Sequence, residues 1–308
     1  MQSRLLQSPA FVHGGIRLDR WPAGAWLALQ CAALAPTGLW MARRMADGSD
    51  DPLGALALAA LAALVWQQRG SLRASPRLGW MALAMGGTVA ATLAGSGAGP
   101  WLPALSPLLA GLVAVLALAA GLVAVVPPRV AAAPVAGLAV LALPLLSSLQ
   151  FYAGYPLRVV TAEASRWLLA PGFTVAREGT TLLVDGQRVI VDAPCSGVQM
   201  VWLGYFTACT VALWAGRGSR SFCARLPVVG GLVLAGNIVR TSLLVALEGA
   251  GHAPAPWVHD GLGLVLLAAV CGGIAWAMAR QARAPVAKGS CPAPWPSTIA
   301  SGERHAAV

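Results

Sequence analysis

The sequence predicts an all-α polytopic membrane protein of about eight transmembrane helices, with a small extracytoplasmic β-meander before the sixth. Three observations predict it. Only 10% of the 308 residues are charged, against about 25% in an ordinary globular chain, which is too few to cover a soluble surface. Hydrophobic residues make up 57%, and mean hydropathy is +0.70. The apolar material also falls into separate blocks, each close to the roughly 20 residues that a helix needs to cross hydrocarbon. Composition excludes a soluble nucleotide-binding enzyme, a secreted disulfide scaffold and a disordered tail protein. The net charge of +10 comes from 20 Arg and one Lys scattered between the blocks. They form no continuous basic face, so no nucleic-acid partner is expected.

The expected spans are 23–41, 53–67, 78–95, 106–127, 131–150, 196–215, 226–247 and 258–279. The first twenty residues carry no apolar run followed by a small-residue cleavage site, so the first span is expected to stay as an uncleaved anchor. Arginine sets the orientation, because basic residues in short loops are retained in the cytoplasm. Arg4, Arg17 and Arg20 place the N-terminus inside. Arg69, Arg73 and Arg77 follow the second span, Arg129 the fourth, Arg217, Arg220 and Arg225 the sixth, and Arg280, Arg283 and Lys288 the eighth. All of these ends agree with cytoplasmic termini. Arg43 and Arg44 fall on the outer side, where Asp47, Asp50 and Asp51 follow them.

Residues 1–150 form an N-terminal region of five helices, rich in Ala, Leu and Gly and without an internal repeat. Residues 151–195 are too long and too polar to be a connector. Within them, 157–170 is expected to be an amphipathic helix at the interface, with Glu163 and Arg166 three apart and Trp167 among apolar neighbours. Three β-branched runs follow, separated by Glu178-Gly179 and Asp185-Gly186. Asp-Gly between such runs is a strong hairpin signal. Residues 196–280 form a core of three helices, and 281–308 a disordered cytoplasmic tail.

Three residues in the second half stand out chemically. Of the six cysteines, only Cys195 is expected to face outward; Cys31, Cys209 and Cys271 fall in spans, while Cys223 and Cys291 are cytoplasmic. Cys195 has no partner on its own side and would be a free thiol in an oxidising compartment. At the start of a helix it feels the positive end of the dipole, which favours thiolate, and Ser196 and Gly197 offer backbone N–H groups to an oxyanion. Arg240 lies inside an apolar span with Asn237 three residues earlier on the same face. A buried Arg costs at least ~2.5 kcal/mol on insertion scales, so it requires a partner, a wet cavity, or a path for the guanidinium to reach the surface. His259 opens the last span. Pro254 and Pro256 break any helix joining it to His252, so a paired metal site is not expected, and no cofactor is. The outer ends of the sixth, seventh and eighth spans thus bring together a thiol, a guanidinium and an imidazole. These are the parts that acyl transfer needs.

The run Pro156-Leu157 through the hairpin to Ala193-Pro194-Cys195-Ser196-Gly197, then Asn237-Ile238-Val239-Arg240, then His259-Asp260-Gly261-Leu262-Gly263, resembles the exosortase/archaeosortase family. That family carries Cys-Ser-Gly, Asn-x-x-Arg and His-x-x-x-Gly motifs in this order. The likeness covers about residues 150–280. Residues 50–69 depart from it: a Tyr and a His ahead of a hydrophobic run are expected there, and only Asp50, Asp51, Trp66 and Arg69 are suggestive of the family. The resemblance implies a membrane-embedded cysteine transpeptidase of the bacterial inner membrane, with the active site facing the periplasm and an association with exopolysaccharide synthesis. Its partners would be exported proteins bearing a C-terminal sorting signal: a Pro-Glu-Pro-like motif, a hydrophobic span and a basic end. The resemblance makes Cys195 the nucleophile, Arg240 the stabilising cation and His259 the acid/base, supported by Ser196, Gly197 and Asn237. Membrane lipid surrounds the chain, and an amine or hydroxyl acceptor, or water, would resolve the acyl enzyme. The alternatives are a membrane transporter or lipid-binding protein that uses Arg240 for an anionic group, and a serine peptidase pairing Ser196 with His259.

Overall fold

The computed structural model describes residues 22–48, 52–73, 75–96, 106–191, 196–251 and 255–280. The expected tail at 281–308, the segment 192–195 and His252 lie outside these residues. The chain is mostly helical: α1 (Ala23–Ala33), α2 (Ala35–Ala46), α3 (Leu53–Gln68), α4 (Leu78–Ser96), α5 (Pro107–Val125), α6 (Ala132–Leu141), α7 (Leu146–Leu169), α8 (Val198–Trp214), α9 (Ser219–Cys223), α10 (Leu226–Gly249) and α11 (Pro256–Ala279). Between α7 and α8 lie three strands, β1 (Val175–Glu178), β2 (Thr181–Val184) and β3 (Gln187–Ile190).

Among the described residues, four stretches are long and apolar enough to cross a membrane: Leu78–Gly95, Pro107–Val125, Ser219–Gly249 and Trp257–Ala279. The number rises to 6 if each of two bent helix pairs is counted as one span. The first pair replaces the continuous helix expected at 23–41. α1 and α2 meet at 66°, and Leu34 ends one helix and caps the next. Pro36 follows in the first turn of α2, where its missing N–H is harmless, but it cannot continue the ladder of α1. The second pair replaces the helix expected at 131–150. α6 stops at Leu141, Pro144 lies in the break, and α7 sets off at 93°. α7 then runs unbroken through Pro156. The amphipathic segment expected from 157 is therefore the second half of a longer helix.

The second half of α7 packs lengthwise on α10. Asn237 donates to Thr161 (3.2 Å) and Ser242 to Ser165 (3.0 Å), so the two helices run side by side in one direction. All four side chains are buried, and apolar neighbours Ala162, Leu169, Leu244 and Val245 continue the seam toward the sheet.

The sheet is an antiparallel meander in the order β1-β2-β3. Val184 pairs with Gln187 across Asp185-Gly186; both turn residues have positive φ, 48° and 85°, as a type I′ hairpin requires. Leu182, Val184 and Val189 turn one face onto α7 and α10, in keeping with the period of two along a strand. Glu163 fastens the other contact, pairing with Arg166 and Arg177 (2.6 Å each) and accepting from the Trp167 indole (2.8 Å). Arg177 belongs to β1, so this carboxylate ties sheet to helix.

α6 and α8 lie at the centre, with Leu138, Leu143 and Trp202 almost wholly buried. The Trp202 indole donates to the carbonyl of Leu141 (3.1 Å), satisfying one of the acceptors that a helix end leaves open. At the other end of α8, Arg217 donates to Met278 O (2.7 Å), and Arg225 donates to Arg280 O (3.0 Å). Two guanidiniums thus cap the C-terminus of α11, where the helix dipole favours cations. Arg217, Arg225 and Arg280, expected on one side of the membrane, do meet at one end of the bundle.

Candidate active site

The opposite end gathers the start of α8, the second half of α10 and the start of α11. Gly197 precedes α8 in a left-handed conformation, φ 78°, which glycine adopts without the Cβ penalty of other residues. A second constraint is steric. A Cβ at this position would lie 2.7 Å from Cγ of Asn237 and 2.9 Å from its Nδ2. The Asn237 carboxamide therefore packs flat against the Gly197 backbone, and it also donates a hydrogen bond to Thr161.

Ser196 is buried. Its hydroxyl donates to Oε1 of Gln150 on α7 (2.8 Å) and accepts from the backbone N–H of Val198 (3.4 Å). With its proton directed to a carboxamide rather than an imidazole, Ser196 is not arranged as a Ser-His nucleophile.

One turn beyond Asn237, Arg240 reaches α11. Its Nη2 lies 3.1 Å from Nε2 of His259. Arginine has donors only, so a hydrogen bond here has Nε2 as acceptor and requires the tautomer protonated on Nδ1. Among the described residues, Arg240 is the one side chain bonded to the His259 ring. Gly263, four residues on and hence on the same face of α11, makes room for this contact: a Cβ there would lie 3.1 Å from Arg240 Nε and 3.3 Å from Nη2.

The structure therefore brings together Ser196, Gly197, Asn237, Arg240 and His259, from three helices. Cys195 falls in the segment outside the described residues. Cys31, Cys209, Cys223 and Cys271 are free thiols away from this cluster. No group of three or more His, Cys, Asp or Glu among the described residues could hold a metal ion. Gly263 is the glycine of the His-x-x-x-Gly run. Two contributors were missed in the sequence, Thr161 and Gln150, because their roles depend on where α7 packs.

The profile of the transmembrane exosortase family matches residues 21–276. No curated protein and no solved structure matches the chain. The match spans most of the sequence, including all three helices that build the cluster, and the chain belongs to the transmembrane exosortase family of membrane cysteine transpeptidases.

Proposed function

We propose that this chain cleaves the C-terminal sorting signal of exported proteins at the outer face of the inner membrane, through a thioacyl enzyme on Cys195. The Arg240–His259 contact carries the proposal: a guanidinium held 3.1 Å from an imidazole, one helical turn from the residue packed on Gly197. In the proposed topology α3 and α8 cross as short spans beside the bent pairs, giving eight crossings with both termini cytoplasmic. The arginine-capped end of α11 faces inward, and the cluster faces the periplasm.

The reaction follows from the groups. The Cys195 thiol gives its proton to Nε2 of His259, and sulfur attacks the carbonyl carbon of the scissile peptide bond. The oxyanion forms beside Arg240 and the backbone N–H groups at the start of α8. As the C–N bond breaks, His259 returns the proton to the leaving nitrogen. An acceptor amine, hydroxyl or water then attacks the thioester, releasing the thiol. Proton transfer from sulfur needs a ring nitrogen with a free lone pair; Nε2 offers it once the Arg240 guanidinium turns from the ring toward the forming oxyanion.

The test is Cys195→Ser, assayed with a secreted reporter ending in a Pro-Glu-Pro-like motif, an apolar span and a basic end. The variant should insert at normal abundance and leave the reporter uncleaved, because an unactivated hydroxyl is a far poorer nucleophile than a thiolate. A chain lacking the other five cysteines should still process it. Cleavage by Cys195→Ser at the wild-type rate would overturn the proposal.

A further inference from the structure

The turn before α8 is gripped from two sides, and both grips end on α7 residues outside the family motifs, Gln150 and Thr161. On one side, the Gln150 carboxamide accepts from Ser196 (2.8 Å). It is itself seated on a glycine: a Cβ at Gly154 would lie 3.0 Å from Gln150 Nε2 and 3.1 Å from Cδ. On the other side, the Asn237 carboxamide is seated on Gly197 and donates to Thr161, a residue with 0% exposure. Each amide is flat, lies over a glycine and ends on α7, either as part of it or through Thr161. A hydroxyl deep in an apolar bundle that serves as an amide's acceptor fixes the rotamer of that amide, since no water competes for the bond.

We propose that Thr161 and Gln150 are positioning residues of the active site, and that α7 is the backstop against which the Ser196–Gly197 turn is held. Thr161 acts through Asn237, by fixing the carboxamide that supports Gly197. Gln150 acts on Ser196 directly. The inference rests on the proposed role of the residue before this turn, Cys195, but its test needs no substrate. The first N–H groups of a helix favour thiolate in a cysteine just before it in sequence, and a held Ser196–Gly197 turn fixes how the chain enters α8. If the turn is loosened, that stabilisation falls. Charged or titratable groups at this end of the bundle are Arg240 on α10, His259 and Asp260 on α11, and Tyr152 and Tyr155 on α7. Arg158 of α7 is turned back onto the carbonyl of Gly154 (3.3 Å). Both proposed positioning residues are neutral, so replacing them changes geometry and not charge.

The experiment uses the full chain in membranes with Cys195 as its one cysteine, alkylated by a small maleimide at pH 7 and at pH 10. The ratio of the two rates reports thiolate formation and cancels changes in access. Thr161→Val keeps volume and branching but removes the acceptor; its ratio should fall about tenfold, the effect of moving a thiol by one pH unit. Thr161→Ser restores the acceptor and should return the ratio to within twofold of wild type. Adding Asn237→Leu to Thr161→Val should cause no further fall beyond Asn237→Leu alone, because one residue acts through the other. Gly154→Ala, which displaces Gln150 without touching α10, should lower the ratio as well. A ratio unchanged in Thr161→Val overturns the proposal. If Thr161→Val and Thr161→Ala both fail to accumulate while Thr161→Ser accumulates, Thr161 is a folding residue and the proposal is likewise overturned. Loss of reporter cleavage in Cys195→Ser tests the reaction separately, so the two can fail independently.

Discussion

Gly197→Ala probes the tightest contact in the cluster. Two penalties act together. An alanine forced into the left-handed region loses ~1 kcal/mol or more. Its Cβ would also stand 2.7 Å from Asn237 Cγ, well inside the ~3.5 Å at which carbon atoms meet without repulsion. Asn237 cannot simply withdraw, since it is 2% exposed and hydrogen-bonded to Thr161. Overpacking of this kind costs ~1–3 kcal/mol. Together the terms give about 3 kcal/mol against the native turn, or roughly a hundredfold in its population at 1.4 kcal/mol per tenfold. The assay is reporter cleavage per mole of inserted chain, and the expected loss is about a hundredfold at normal abundance. Gly197→Asn divides the effect. Asparagine tolerates the left-handed backbone but keeps the offending Cβ, so it should recover little activity. Gly231→Ala, on α10 with nothing within 4 Å, should stay within twofold of wild type. Cleavage by Gly197→Ala within threefold of wild type would refute the steric argument. Recovery in Gly197→Asn would assign the whole effect to φ.

Two further outcomes are expected. Arg240→Lys should insert normally yet process the reporter at least tenfold more slowly, because lysine loses the planar fork; loss of an oxyanion donor can cost about a hundredfold or more. Processing within twofold of wild type would leave Arg240 a structural role only. Thr241→Val should stabilise the chain by about 1 kcal/mol in thermal or denaturant unfolding, since the Thr241 hydroxyl is buried with no hydrogen-bond partner among the described residues and an isosteric apolar group removes that penalty. Lower stability would mean that the hydroxyl is satisfied after all.

Legibility from sequence followed the range of the interactions. The spans around α5, α10 and α11 could be read because hydropathy is a property of each segment alone. The Asp185-Gly186 hairpin was legible for the same reason: its backbone demand is met within two residues. The bends at Leu34 and Pro144 were blurred because an averaging window spans a proline without registering the change of direction. Pro156 shows the opposite case, a helix breaker inside a continuous helix, which membrane helices tolerate when neighbours satisfy the freed groups. In the cluster, Arg240 and His259 could be placed at one end by counting crossings. Thr161 and Gln150 are ordinary polar residues whose importance arises only when α7 lies against α10. Whether a membrane helix carries a polar residue for packing or for the site is decided by its neighbours.

The sheet bears on reach. Gly249 ends α10 so close to Val184 of β2 that a Cβ there would lie 2.6 Å from its Cγ1, so the meander sits directly on that helix end. Arg240 lies nine residues earlier, about 13 Å down the axis at 1.5 Å per residue. In the proposed orientation, a folded domain arriving from outside is stopped at the sheet. Its scissile bond must then travel the remaining depth on slack chain, about four extended residues at ~3.3 Å each. On the proposed function, the length of that tether, more than the shape of the cargo, decides which proteins can be presented.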